Sequence, residues 1–195
     1  LIEPGAMSRM SSNLNSSFQR QGGFFSAMLR KMFGGESFFL GKYEHPDGGK
    51  LTFAPASPGS VQHYKLSNNN INIMAGAFLA CTPEVNVKAN FGGLKALFSG
   101  EGAFLLEASG NGDLFFNSFG GIVEKEINGE FIVDTGHVVA FEPSLNYRIS
   151  GMGNWKSTML SGEGLVMTFS GAGKIYLQTR TIGGIASWLT PRLLG

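Results

Sequence analysis

Apolar positions along this chain fall in short runs punctuated by glycine. Phe38 to Leu40 leads to Gly48-Gly49 and then Leu51 to Phe53. Phe104 to Leu106 leads to Gly110 and Gly112 and then Leu114 to Phe116. Leu165 to Met167 leads to Gly171 and Gly173 and then Ile175 to Leu177. Apolar run, glycine turn, apolar run is the pattern of a β-hairpin, and each of the three stretches predicts one. Asn128-Gly129, between Ile127 and Phe131, predicts a further tight turn. The segment Ser11 to Phe25, rich in Ser, Asn, Gln and Gly, reads as a loop. One stretch has a helical period. Phe24, Phe25, Met28, Leu29, Met32 and Phe33 share a face, Arg30 and Lys31 lie off it, and glycine pairs bracket both ends. Leu94 to Ser99 and Asn154 to Ser161 are shorter versions, readable as turns or strand ends.

The runs belong to a larger repeat, which decides the architecture. Ser99 to Gly102 recurs as Ser161 to Gly164 and, more weakly, as Gly34 to Ser37, which sets Glu36, Glu101 and Glu163 at spacings of 65 and 62 residues. Pro4 to Met7, Ala75 to Phe78 and Thr135 to Val138 match in a second register. Small-residue closes follow at Gly59 to Val61, Gly120 to Ile122 and Gly183 to Ile185. The chain therefore divides into units at 1–61, 62–123 and 124–189, with a tail at 190–195. Unit one carries an insertion near 11–25, and Leu1 falls in mid-element, so an upstream strand is expected. A unit of about 60 residues is marginal alone, and three around a pseudo-threefold axis would bury what each exposes. The fold class expected is all-β: three tandem β-sandwich units in the double-stranded β-helix style, with few short helices.

Composition agrees with that architecture and narrows the chemistry. Gly accounts for 29 of 195 residues and Phe for 17, while charged residues are only 15%. That balance suits short strands packing aromatics inside. A net charge of +1 argues against a general nucleic-acid surface. One cysteine, Cys81, excludes an intrachain disulfide and a cysteine zinc cluster, and its apolar setting reads as a small core residue.

The motifs Phe98 to Gly102, Val133 to Phe141 and Leu160 to Val166 resemble those of the mitochondrial biogenesis family named for altered inheritance of mitochondria. Glu3 to Met7, Gly76 to Ala80 and Ile175 to Arg180 support the resemblance, which covers nearly the whole chain. It implies a fold similar to the tryptophan RNA-binding attenuator protein, homo-oligomers, and no catalytic residues to carry over. It also implies a cytoplasmic setting for a prokaryotic member and a mitochondrial one for a eukaryotic member.

Candidate chemistry is sparse. Glu36, Glu101 and Glu163, each beside a glycine at Gly35, Gly100 and Gly162, could bind a cation on a threefold axis. A structural role suits them better, with the carboxylate holding backbone N–H groups at a strand start. His45, His63 and His137 match no local metal spacing. His45 sits beside a turn and is expected exposed, and His137 is expected as a hydrogen-bonded strand residue. Gly171 to Lys174 fails the phosphate-loop pattern, since Thr168 and Ile175 stand where Gly and Ser/Thr are required. No metal, cofactor or catalytic constellation is expected. The expectation is a non-enzymatic oligomeric scaffold or interaction protein. A small-ligand or metal-binding barrel and an RNA binder by fold analogy are the rival readings. The Phe24 to Phe33 face is expected to pack on protein rather than on a membrane surface.

Overall fold

The computed structural model describes residues 1–20, 39–90, 105–151 and 165–193. The described residues form a mostly β fold, as expected, with one α-helix. Four strands precede residue 54: β1 (Met7–Met10), β2 (Asn15–Arg20), β3 (Phe39–Glu44) and β4 (Leu51–Phe53). Next come β5 (Val61–Met74), β6 (Phe78–Cys81), β7 (Val85–Asn90) and β8 (Leu105–Asn117). Then follow β9 (Ile122–Asp134), β10 (Val138–Phe141), β11 (Asn146–Gly151) and β12 (Leu165–Gln178). Helix α1 (Ile182–Leu193) comes last.

Two long antiparallel ribbons, β5 with β8 and β9 with β12, make the frame. On its other edge each second strand carries two short partners end to end. β6 lies against Leu114–Phe116 and β7 against Leu105–Gly110 of β8. β10 lies against Ile175–Leu177 and β11 against Leu165–Ser170 of β12. β1 on β4 and β2 on β3 show the same division, with the turn at 45–50 separating the two halves. The β1, β6 and β10 pairings all contain a one-residue register shift at the same place.

The glycine pairs are where the hairpin expectation fails. Gly110 and Gly112 lie inside the continuous strand β8, Gly171 and Gly173 inside β12, and Gly129 inside β9. Only Gly48-Gly49 sits in a turn between two strands. The physical reason is crowding from the turn that joins the two short partners. At Gly110, where φ is +121°, a Cβ would stand 2.5 Å from the Glu84 carbonyl oxygen. At Gly171, where φ is +116°, it would stand 3.1 Å from that of Ser144. Glycine here lets a strand bend beneath a crossing turn, not reverse.

Those turns are clamped in the same way three times. Thr82 N–H donates to Asp113 O (2.9 Å), and Asp113 N–H returns a bond to Thr82 Oγ1 (3.0 Å). Glu142 N–H donates to Lys174 O (3.0 Å), and Lys174 N–H returns one to Glu142 Oε2 (2.9 Å). Ser11 N–H donates to Lys50 O (2.8 Å), and Lys50 N–H returns one to Ser11 Oγ (2.9 Å). Each satisfies a main-chain donor and acceptor at the crossing turn.

The core is continuous along the chain but has two centres. One holds Leu40, Leu66, Ile71, Ile73, Phe78, Leu114, Phe116 and Tyr176. The other holds Leu105, Phe141, Met167, Phe169 and Ile175, with Met74 packed against both. Each centre holds an edge-on aromatic pair. Phe116 meets Tyr176 at 5.3 Å between ring centres, and Phe141 meets Phe169 at 5.0 Å.

Two further expectations need correction, and one falls outside the described residues. Asn15–Arg20 is strand β2, paired along β3, so the loop expected over 11–25 does not hold there. Main-chain pairing carries this ribbon despite its polar side chains, and Phe18 is 79% exposed. Gly183-Gly184-Ile185 and the stretch to Leu193 form helix α1, not a close and a tail. Thr181 caps it, its Oγ1 accepting from Gly184 N–H at 3.0 Å. The helical face at 24–33 and its shorter versions at 94–99 and 154–161 lie outside the described residues.

Gly110→Ala is expected to destabilise the fold by about 2–4 kcal/mol, combining a left-handed φ with a backbone clash. Gly76→Ala, with open space around its added methyl, is expected to stay within about 0.5 kcal/mol of the parent. Urea melts of the two variants check the contrast.

Candidate functional site

The recurring glutamates Glu36, Glu101 and Glu163, with Gly35, Gly100 and Gly162, lie outside the described residues. The histidines are described, and the fold does not gather them. His45 caps the turn after β3, its Nδ1 accepting from Asp47 N–H at 3.2 Å. Its side chain is 25% exposed, so it is half-buried and not fully exposed as expected. His63 lies on β5, and His137 ends a 3-10 turn, Thr135–His137, between β9 and β10. His137 is hydrogen-bonded, though in a turn and not in a strand: a carbonyl oxygen only accepts, so its Nδ1 donates to Gln178 O at 2.7 Å. Among the described residues no three of His, Cys, Asp and Glu converge as a metal cage. Cys81 is buried, and burial pushes its thiol up to about 11, so it stays protonated at neutral pH.

Two surface clusters occupy matching places on the two ribbons with their charges exchanged. On β5 and β8, Asp113 stands between two bases: His63 Nε2 is 2.8 Å away, and Lys65 Nζ donates to both carboxylate oxygens at 3.1 Å. His63 and Lys65 hold the Asp113 carboxyl below the usual carboxylate range. On β9 and β12, Lys174 stands between acids: its Nζ donates to Glu124 Oε1 at 2.6 Å, and Glu126 is its cross-strand partner. Glu124 raises the Lys174 ammonium first, with Glu126 and Glu142 adding to it. Both clusters are solvated ion pairs. The Asp113 oxygens are already taken, and His63 lies flat on Phe115. Sequence spacing hides them, because Asp113 and His63 are 50 residues apart.

A groove of about 470 Å³ opens under α1, lined by Phe119, His137, Arg180, Ile185 and Trp188. Gln178, next to the lining residue Thr179, braces the turn behind it. Its Oε1 accepts from Phe119 N–H at 2.8 Å, and its Nε2 donates to Gly136 O at 2.6 Å. Thr179 Oγ1 accepts from Gly121 N–H at 2.8 Å. Arg192 covers the Trp188 ring at 4.2 Å. Gln178 Oε1 and Thr179 Oγ1 are thus committed to holding the turn at 118–121. No helix among the described residues is long and apolar enough to cross a membrane.

The most conspicuous exposed features are strand edges. Among the described residues β1 pairs only with β4, and all four of its residues are exposed. Among the described residues β9 pairs only with β12, and it presents Glu124, Glu126 and Glu130 to solvent, with Ile132 58% exposed. Long unpaired edges of this kind invite further strands.

Glu3, at the start of the chain beside β6, has its carboxyl pushed up by burial to about 7. The folded state thus binds its proton more tightly than the unfolded chain. Its stabilising effect is full below the ordinary value of 4.5 and is lost as pH rises through 7. Discounted for partial exposure, the charged form costs about 1–2 kcal/mol. Glu3→Gln is expected to melt about 3–6 °C above the parent at pH 8. The two should coincide at pH 4, a contrast that differential scanning calorimetry reads directly.

An uncharacterised protein of Streptococcus pyogenes serotype M6 is 34% identical over 185 residues, spanning 92% of this chain and 74% of that one. A crystal structure of a Streptococcus pyogenes protein superposes with a TM-score of 0.81 at 30% identity, covering 98% of this chain and 88% of that chain. The family model described as mitochondrial biogenesis AIM24 matches residues 1–180. The chain belongs to the mitochondrial biogenesis AIM24 family.

Proposed function

We propose that this chain is a non-enzymatic oligomeric scaffold, built of three tandem β-sandwich units around a pseudo-threefold axis with boundaries at 1–61, 62–123 and 124–189. It works through contacts with copies of itself and with protein partners, and uses no cofactor. The attenuator-like unit is part of this reading. Its support is the clamp made three times, at Ser11 with Lys50, Thr82 with Asp113 and Glu142 with Lys174. The shared bulge in three short-strand pairings points the same way.

The observation that carries the interaction role is the exposed strand edge. The polar side chains that look reactive are paired with one another, whereas among the described residues the main-chain edges along β1 and β9 stand open. RNA binding fits less well: Glu124, Glu126 and Glu130 line the exposed face of β9, where a phosphate backbone would meet repulsion. A reducing, cytoplasmic setting suits the single protonated thiol.

Size-exclusion chromatography with light scattering tests the assembly. The expected particle is a multiple of the chain mass at micromolar concentration. A strictly monomeric particle across 1–100 µM (on the order of cellular to assay concentrations, where a useful interface is populated) overturns the oligomeric reading.

A further inference from the structure

The chain makes one kind of strand-to-strand joint twice. In the first instance, Ile2 lies opposite Ala80 of β6. Glu3 N–H donates to Leu79 O and Cys81 N–H to Leu1 O, both at 2.8 Å. In the second, Ile73 at the end of β5 lies opposite Ala140 of β10, and Asn72 opposite Phe141. Both joints therefore set the end of a strand that runs into a short turn (Pro4 to Ala6, Ala75 to Ala77) against the short strand that follows the next such turn.

The third turn, Thr135 to His137, ends β9 in the same way. By position, Val133 corresponds to Ile73 and Ile2, and Ile132 to Asn72 and Leu1. The short strand after the first turn is β1, where Arg9 corresponds to Ala80 and Ala140: all three follow the register shift on their own sheets. A third joint would set Val133 opposite Arg9. Among the described residues it is not made: there β1 pairs with β4 alone and β9 with β12 alone. Burial records the difference. All four residues of β6 and all four of β10 are buried, and all four of β1 are exposed.

We infer that the end of β9 in one copy of this chain pairs antiparallel with β1 of a second copy, Val133 opposite Arg9, repeating between chains the joint made twice within one. This rests on the oligomeric reading alone: it names the interface, and it takes the joint that would close a threefold within one chain and places it between copies instead. The occupant is a second copy because each half has its complement on the other, residue for residue. Met7 and Met10, each 40% exposed, and Ile132 supply apolar cover. Arg9 is the only charge on β1, and Asp134 and Glu130 flank the opposing strand end. The contact is head-to-tail, so each copy offers one donor end and one acceptor end. Its main-chain bonds are those of an added strand.

The geometry gives a direct test. Ile2 and Ala80 are flanked by their hydrogen bonds rather than sharing them, the closely spaced kind of antiparallel pair, with Cα atoms about 4.5 Å apart. Cysteines at the matching positions could therefore form a disulfide. Arg9→Cys and Val133→Cys are purified separately, mixed and mildly oxidised, and run on non-reducing gels. The expected result is a covalent dimer in the mixture and little in either variant alone. The doubly substituted chain should give a ladder of linked copies.

A doubly substituted chain that closes on itself as an oxidised monomer would overturn the inference, because the third joint would then lie within one chain. No cross-link in the mixture, with light scattering still showing an oligomer, also overturns it while leaving the scaffold reading intact. A monomer in both measurements removes both. Met10→Pro deletes the donor that corresponds to Cys81 N–H, at an edge where proline is tolerated. It should weaken self-association at least tenfold with the melting temperature unchanged, and unaltered association sinks the proposal independently of any cross-link.

Discussion

The structure turns on one steric constraint: a long strand must serve two short partners on the same edge, and the turn between those partners must pass across it. β8 and β12 meet the constraint by bending at Gly110 and Gly171, where a side chain would collide with the Glu84 or Ser144 carbonyl. The reciprocal bonds at Asp113 and Lys174 then hold each crossing turn to the bend. Only with the turn held there can the buried short strands β6 and β10 stay in register, and the aromatic contacts of Phe116 and Phe141 follow from their placement. The first segment solves the same problem differently. It interrupts the strand with the turn at 45–50 and lets Leu14 occupy the space over Gly49.

That constraint explains what could be read from the sequence. The all-β class, the family and the recurrence of apolar runs were visible, because burial imposes alternation on strands whatever their partners. The role of the glycines was not. A glycine that permits a reversal and one that permits a crossing have the same identity and the same apolar neighbours, and only the position of Glu84 or Ser144 separates them. β2 was missed for a related reason: its ribbon is held by main-chain bonds, while Asn15, Ser16, Ser17 and Gln19 carry the composition of a loop. Helix α1 was obscured by Gly183, Gly184 and Pro191, which break helical propensity in a segment of only 12 residues.

The candidate site was less legible still. The Asp113 and Lys174 clusters each join residues 50 positions apart. The acidic face of β9 depends on which strand edge is left unpaired, which no local pattern records. Glu3 looked like part of a family motif, and its raised proton affinity comes from burial beside β6.

The exchanged charges of the two clusters also bear on how the chain finds its own pairing. Two similarly built ribbons in one polypeptide carry a hazard, since a strand can settle on its counterpart's partner with the hydrophobic pattern still satisfied. β9 laid on β8 in the native register would set Glu126 directly against Asp113. β5 laid on β12 would set Lys65 directly against Lys174. Like charges opposite one another disfavour both swaps, while the correct pairings place Lys65 on Asp113 and Glu126 on Lys174. The ion pairs are too exposed to hold the folded protein together, but they label each ribbon, so that strands that look alike in their apolar pattern are sorted by sign.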